Sequence, residues 1–158
     1  MLPESGDLMF LTRKKLTKEE LARKDRVCRS IRRIVDATTP NRMAESCSHR
    51  RSERYNRCVP VVCFPLIDKK IDSEAIYYAA TKDLSDAGAS IITHIRHESA
   101  QVICGFWYDG PVLLGGVIRR FRRFGGDLWE VGIEFTDVLE SAPTLESLMP
   151  YVEALKVD

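Results

Sequence analysis

The stretch RRSERYNRCVPVVCF, residues 50–64, joins a run of positive charge to the first long apolar segment of the chain. Four arginines fall among its first eight residues, and Val, Cys and Phe dominate the rest. β-branched and aromatic side chains in such a run predict a β-strand. Two interpretations of the charge are open at this point. It is either a solvated basic face or a socket for a ligand that carries phosphate groups.

Short β-like runs continue from this stretch to residue 135, separated by turns rich in Gly, Asp and Pro. Gly115 and Gly116 fall inside one of these runs and predict a bend or bulge there. Half a dozen strands at this spacing favour a mainly β fold, a small barrel or a sandwich. The runs that we predict as strands are 58–67, 74–85, 88–94, 100–108, 112–124 and 128–135.

One amphipathic helix is predicted before the strands and a second helical segment after them. Residues 16–37 begin with Thr17 and Glu20, which fit a capping box. Residues 144–157 repeat the amphipathic pattern, and because Pro150 breaks or kinks a helix we expect either one short C-terminal helix or two pieces. The first helix is expected to bury one stripe and to present Arg and Lys on its other face. That stripe consists of Leu21, Cys28, Ile31 and Val35, with Val27 and Ile34 beside it.

The composition predicts one globular domain with extra structure at its ends. The chain has 158 residues, of which 44% are hydrophobic and 30% are charged. The net charge of +1 hides an asymmetry, because residues 1–57 hold fifteen Lys and Arg against eight Asp and Glu. The remaining residues hold nine against fifteen. Arg outnumbers Lys sixteen to eight, which indicates an anionic partner with flat groups, since guanidinium forks bind phosphate and stack on rings.

Several classes of protein are disfavoured by what the sequence lacks. No apolar run approaches the roughly 18–20 residues that span a bilayer, and the start does not resemble a signal peptide. The five cysteines form no C-x-x-C pair, and no His stands at a metal-ligand spacing from them. The three histidines have no nucleophile at a recognisable spacing. We therefore expect a cytoplasmic protein that is not an enzyme and holds no disulfide, metal or cofactor.

Arg50 and Arg54 form an R-x-x-x-R pair directly before the first predicted strand. The pattern is not specific by itself, because Arg29 with Arg33 and Arg119 with Arg123 match it too. The pair at 29 is typical of a solvated helix face. The pair at 119 lies in RRFRRF, where the arginines either alternate outward around Phe121 or form a nucleic-acid patch.

The segment KDLSDAGASI, residues 82–91, contains the pattern D-x-S-x-x-G at Asp83, Ser85 and Gly88. One interpretation is local, because Asp and Ser cap backbone amides in turns and Gly tolerates a close approach of other groups. The other interpretation is a site in which the carboxylate accepts hydrogen bonds from a guanine edge and the hydroxyl adds a contact. The pattern occurs once in the chain.

These motifs together resemble the PilZ domain family. The R-x-x-x-R pair before the first strand is followed by D-x-S-x-x-G and by a last strand that ends as Gly-x-x-Phe, here WEVGIEF with Gly132 and Phe135. The resemblance covers about residues 48–137. It implies a six-stranded antiparallel β-barrel that binds the bacterial second messenger cyclic di-GMP.

The resemblance also implies a role for each motif residue. Arg50 and Arg54, on an arm that folds over the ligand, would grip phosphates and guanine acceptors. Asp83 and Ser85 would bind a guanine from the barrel, and Gly88 would keep that surface clear. Arg51 adds attraction for the ligand or faces solvent. Trp129 either stacks on a guanine or packs in the barrel wall.

The predicted organisation has five parts: a tail at 1–15, a basic amphipathic helix at 16–37, a linker at 38–49, a PilZ-like barrel at 50–137 and a C-terminal helical segment at 138–158. The leading hypothesis is a cyclic di-GMP receptor that switches a protein effector. Homodimerisation is possible. One alternative is a PilZ-like protein-interaction module that does not bind the dinucleotide. The other is a nucleic-acid-binding barrel, which the near-neutral total charge disfavours.

Overall fold

The computed structural model describes residues 16–38, 54–140 and 143–156. Within these ranges the chain is mainly β, with eight strands and two helices. Arg50, Arg51, the predicted tail and nearly all of the predicted linker lie outside the described residues. The elements are α1 (Lys18–Ala37), β1 (Arg54–Tyr55), β2 (Pro60–Ile67), β3 (Lys70–Ile71), β4 (Tyr77–Ser85), β5 (Gly88–Thr93), β6 (Gln101–Trp107), β7 (Pro111–Gly125), β8 (Leu128–Val138) and α2 (Pro143–Glu153).

Six of the strands close into an antiparallel barrel in the order β2, β4, β5, β8, β7, β6 and back to β2. Each of these six strands overlaps one of the predicted runs, so the predicted mainly β fold with a six-stranded barrel is confirmed. The two-residue strands β1 and β3 are additions, on β4 and β2 respectively. A register shift between Gly115 and Gly116 confirms the irregularity predicted there.

The strand β2 is buried on both of its faces. Val61 and Cys63 belong to the core inside the barrel. Val62 and Phe64 point the opposite way and pack, with Leu113, against Leu148 and Val152 of α2. This double burial explains why the run is almost continuously apolar instead of alternating. Helix α2 therefore covers the outside of the barrel at β2, β6 and β7.

Helix α1 starts where the capping box predicts, with the Thr17 hydroxyl accepting a hydrogen bond from the Glu20 amide at 3.1 Å. Its residues Val27, Ile31, Ile34 and Val35 share one core with the inward residues of the barrel. The prediction for Leu21 was wrong: the residue is 53% exposed, and the buried residues of α1 begin only at Val27. Cys28 is only partly buried.

Two arginines of α1 fix the helix to turns at one end of the barrel. The Arg33 guanidinium donates to the carbonyl oxygens of Tyr108 and Asp109, in the turn between β6 and β7, at 2.8 and 3.1 Å. Arg32 lies 3.7 Å from the Asp86 carboxylate in the turn between β4 and β5. Since both turns leave the barrel at the same end, α1 closes that end. The basic face of the helix is thus used partly for docking.

The segment between β1 and β2 is attached to the edge of β4 by Thr81. The Val59 amide donates to the Thr81 hydroxyl at 2.9 Å, and that hydroxyl donates to the Arg57 carbonyl. The Thr81 amide donates back to the Val59 carbonyl at 2.9 Å. One edge of β4 therefore pairs first with β2, then holds this segment, and then pairs with β1.

Candidate ligand pocket

A β-bulge in β4 turns Asp83 toward the outer surface of the barrel. Tyr77 and Ala79 pack against the core, and a regular strand would send Asp83 to the same side. The register with β5 shifts between Thr81 and Asp83, so that Lys82 has no partner. The shift reverses the alternation: Leu84 enters the core and Asp83 faces outward.

Asp83 and Arg54 lie side by side on this surface. Arg54 pairs with Ser85 in the register of β1 and β4. Its Nη1 atom lies 3.6 Å from the Asp83 Oδ2 atom, and the two side chains are 32% and 10% exposed. The structure therefore brings one residue of the R-x-x-x-R pair into contact with the first residue of D-x-S-x-x-G.

Ser85 and Gly88 shape the turn that follows Asp83. The Ser85 hydroxyl accepts hydrogen bonds from the Gly88 amide at 3.1 Å and the Ala87 amide at 3.4 Å, and lies 3.3 Å from the Gly88 carbonyl oxygen. Gly88 pairs with Glu134 on β8, where the backbone of Ile133 leaves no room for a side chain. Ser85 and Gly88 thus stabilise the local backbone, and both also line the pocket beside Asp83.

The pocket is an open depression of about 180 Å³ on the outer face of four neighbouring barrel strands. Its floor follows one row across the sheet, in which Asp83 pairs with Ser90, Ser90 with Gly132 and Gly132 with Arg120. Gly132 has no side chain to fill the row, so the floor is low at its centre. The lining comprises Arg54, Asp83, Ser85, Gly88, Ala89, Ser90, Arg119, Arg120, Gly132, Ile133 and Glu134.

The far wall of the pocket consists of Arg119 and Arg120 on β7. Arg119 Nη2 lies 2.7 Å from the Glu134 Oε1 atom. Arg120 Nη2 lies 3.2 Å from the Glu130 Oε2 atom. The sequence predicted Arg119 either as an outward strand residue or, with the rest of RRFRRF, as part of a nucleic-acid patch, and it assigned neither Arg119 nor Arg120 to this pocket. The run RRFRRF was the signal, but its pattern does not say which arginines face the pocket.

Glu130 gathers three cations beside this wall. Its side chain is 2% exposed, and the Arg122 Nη2 atom lies 3.0 Å and the Lys82 Nζ atom 3.6 Å from its Oε1 atom. Burial alone would raise the Glu130 pKa, but the hydrogen bond from Arg122 and the charges of Lys82, Arg122 and Arg120 outweigh it. The pKa of Glu130 consequently lies below its ordinary value.

Trp129 lies apart from this pocket. It pairs with Thr93 and Arg123 nearer the other end of β8, and its ring lies 5.1 Å from that of Phe121. The Arg96 guanidinium lies 5.1 Å from the centre of the Trp129 ring. Of the two roles predicted for Trp129, packing in the barrel wall fits this placement, whereas stacking on a ligand in the pocket does not. Arg50 and Arg51 fall outside the described residues.

Further features of the described part of the chain concern metal ligands, membrane-spanning helices and cysteines. No group of three His, Cys, Asp or Glu side chains there could hold a metal ion. None of the helices there is long and apolar enough to cross a membrane. The buried Cys63 and Cys104 pair across β2 and β6 as free thiols. The hydrogen bond with Cys63 and burial raise the pKa of Cys104, which keeps its thiol protonated and unreactive.

Comparison with known proteins gives structural similarity only. No protein-family profile matches the sequence, and no curated protein matches it significantly. The inhibitor of motility MotI/DgrA from Bacillus subtilis aligns with a TM-score of 0.45 and 13% identity, over 74% of this chain and 56% of that one. The chain thus spans little more than half of that protein. The PilZ domain of YcgR from Escherichia coli, solved with c-di-GMP, aligns with a TM-score of 0.38 and 16% identity, over 68% of this chain and 92% of that one.

The barrel has the fold that the resemblance to PilZ domains implies. Six antiparallel strands close around one core, with Asp83 and Ser85 on β4, Gly88 on β5 and Arg54 on the added strand β1. Gly132 and Phe135 fall in the last barrel strand, as the Gly-x-x-Phe ending requires. The described part of the chain therefore has a PilZ-like barrel fold.

Proposed function

We propose that this chain is a non-enzymatic receptor for cyclic di-GMP and binds the dinucleotide in the pocket beside Asp83. The observation that carries the proposal is the contact between the two motifs, in which Arg54 and Asp83 lie 3.6 Å apart on the outer surface of the barrel. Residues far apart in sequence thus converge on one depression that both of them line.

The chemistry of these groups suits a guanine dinucleotide. Guanidinium groups pair bidentately with phosphate and with the O6 and N7 acceptors of guanine. A carboxylate such as Asp83 complements the N–H donors on the opposite edge of the base. A charge-assisted contact of this kind is worth roughly 1.5–3 kcal/mol. The Arg54–Asp83 distance of 3.6 Å exceeds that of a good hydrogen bond, so little is lost when a ligand separates the two side chains.

The arm that precedes Arg54 would complete the site. Arg50 stands four residues before Arg54, and four extended residues reach about 13 Å, enough to bring Arg50 to the mouth of the pocket. Arg51 would add long-range attraction. We assign no ligand contact to Trp129, whose ring packs on Phe121.

Binding would act as a switch on α1 and on a protein effector. The Arg57 Nε atom donates to the Thr38 hydroxyl at 3.0 Å, which ties the end of α1 to the segment that follows Arg54. An arm that closes over the dinucleotide would therefore displace the segment that carries Arg57. Through the hydrogen bond between Arg57 and Thr38, it would also displace the end of α1. The nucleic-acid alternative is less well supported, because residues 58–158 hold nine Lys and Arg against fifteen Asp and Glu.

Isothermal titration calorimetry with cyclic di-GMP tests the proposal. We expect the wild type to bind, and Arg54→Ala and Asp83→Ala each to lose at least tenfold in affinity. The matched control is Arg29→Ala, which removes an arginine of another R-x-x-x-R pair whose side chain is 71% exposed on α1. Its affinity should be that of the wild type. A folded wild type that gives no heat, or two pocket variants with unchanged affinity, would exclude the proposal and favour the protein-interaction module.

A further inference from the structure

We infer that the pocket has a second anion-binding wall, formed by Arg119 and Arg120 on β7, which takes the second phosphate of the dinucleotide. The inference rests on the proposed function and extends it, because neither sequence motif includes a residue of β7. It assigns the two phosphates of one ligand to opposite walls of one pocket.

The first argument is that a β-bulge builds this wall, as another bulge builds the wall with Asp83. The register between β7 and β8 shifts between Ile118 and Arg120, which leaves Arg119 without a partner. Ile118 and Phe121 both pack against the core on either side of the shift. Two consecutive arginines can therefore face outward, whereas a regular strand would have turned one of them inward. Bulges that re-aim side chains are frequent beside functional sites.

The second argument is the span between the walls. Asp83 and Arg120 stand at the two ends of a row of four adjacent strands, hence three strand spacings or roughly 14 Å apart between Cα atoms. Arg54 lies one strand further out, on β1. Guanidinium groups that extend inward from β1 and from β7 can each meet one of the two phosphates of a single dinucleotide, which share one ring.

The third argument is that Arg120 can leave its present partner at small cost. Its side chain is 43% exposed, and after it leaves, the buried Glu130 carboxylate keeps Arg122 at 3.0 Å and Lys82 at 3.6 Å. The Arg120 side chain already lies over Gly132, with its Nε atom 3.5 Å from where a Cβ of that residue would stand. It therefore reaches over the pocket floor. Arg119, at 64% exposed, is similarly accessible.

The two arginines that share Glu130 provide the test. Arg120→Gln and Arg122→Gln each remove one cation from the same carboxylate, but only Arg120 lines the pocket. In calorimetric titrations with cyclic di-GMP we expect Arg120→Gln to weaken binding at least tenfold and Arg122→Gln by less than twofold. The double variant Arg119→Gln/Arg120→Gln should lose more than either single change. Thermal melts of each variant check that the barrel is intact.

The outcomes separate this inference from the proposed function. If the wild type gives no heat with cyclic di-GMP, the proposed function fails and the second wall fails with it. If the wild type binds but Arg120→Gln and Arg122→Gln weaken binding equally, or neither does, only the second wall is overturned. A selective loss in Arg120→Gln, with an unchanged melting temperature, supports it.

Discussion

Gly88 lies so close to Ile133 that a Cβ atom built on Gly88 would stand 2.1 Å from the Ile133 carbonyl oxygen. No side chain fits there without moving β5 away from β8, because the obstacle is backbone. We therefore expect Gly88→Ala to lower the free energy of unfolding by about 1–3 kcal/mol or more. Urea denaturation of the purified variant measures this.

The control for this prediction is Gly125→Ala, near the tip of the β7–β8 hairpin. A Cβ there meets no atom within 4 Å, so the free energy of unfolding should stay close to that of the wild type. If Gly88→Ala is as stable as Gly125→Ala, the close approach of β5 and β8 described above is wrong.

Gly132 makes a contrasting prediction, because its missing side chain leaves space in a pocket instead of a tight backbone contact. A Cβ at Gly132 would lie 3.4 Å from the Arg120 Cβ atom, an ordinary van der Waals distance. We expect Gly132→Ala to change stability by less than about 1 kcal/mol. It should nevertheless weaken cyclic di-GMP binding, since the methyl group raises the pocket floor. Calorimetry and urea denaturation of the same preparation would separate the two effects, and unchanged binding would contradict the placement of the ligand.

Thr81→Val tests how the segment before β2 is attached. The valine keeps the shape of the side chain but removes the hydroxyl that bonds both the Val59 amide and the Arg57 carbonyl. Thr81 is 1% and Val59 4% exposed, so a buried amide would lose its acceptor, at a cost of about 1–3 kcal/mol. Denaturant unfolding measures the loss. The exposed Thr136, whose hydroxyl donates to Gly115, provides the control variant Thr136→Val, which should cost much less.

Glu130 predicts a dependence of stability on pH. Its pKa is lowered in the folded protein, so its carboxylate stabilises the fold above the unfolded pKa, which is about 4.3. This stabilisation is lost as the pH falls through the folded pKa, because the unfolded chain then binds the proton more readily. We expect the wild type to lose more stability than Glu130→Gln as the pH falls below about 5. Parallel pH profiles of the two proteins in urea denaturation would contradict the prediction.

The strands and the first helix follow from local sequence. Alternation, turn residues and the capping box at Thr17 mark their positions without any knowledge of neighbours. The exception is Leu21, which has the spacing of a buried residue but is exposed. Of the two outcomes predicted for Pro150, the structure shows one short helix, α2, with Pro150 inside it.

The pocket could be predicted only in part. The motifs indicate Arg54, Asp83, Ser85 and Gly88, and the structure places all four along its lining. Arg119 and Arg120 lie in the run RRFRRF, but their outward orientation depends on the bulge between β7 and β8. Ser90 carries no signal of its own, and it faces Asp83 because of the bulge in β4. A bulge is a property of two paired strands, and the sequence of one strand does not fix it.

The placement of α2 has a practical consequence for attaching this protein to a surface. The helix covers β2 and β6, and the Tyr78 hydroxyl on β4 donates to the Tyr151 carbonyl of the helix at 3.1 Å. Tyr78 lies roughly 17 Å along β4 from Asp83, so the helix is well separated from the pocket. A linker or fluorophore on the exposed Glu153 would therefore leave the depression beside Asp83 open to solution. Attachment through α1 would instead occupy the barrel end that carries the β4–β5 and β6–β7 turns.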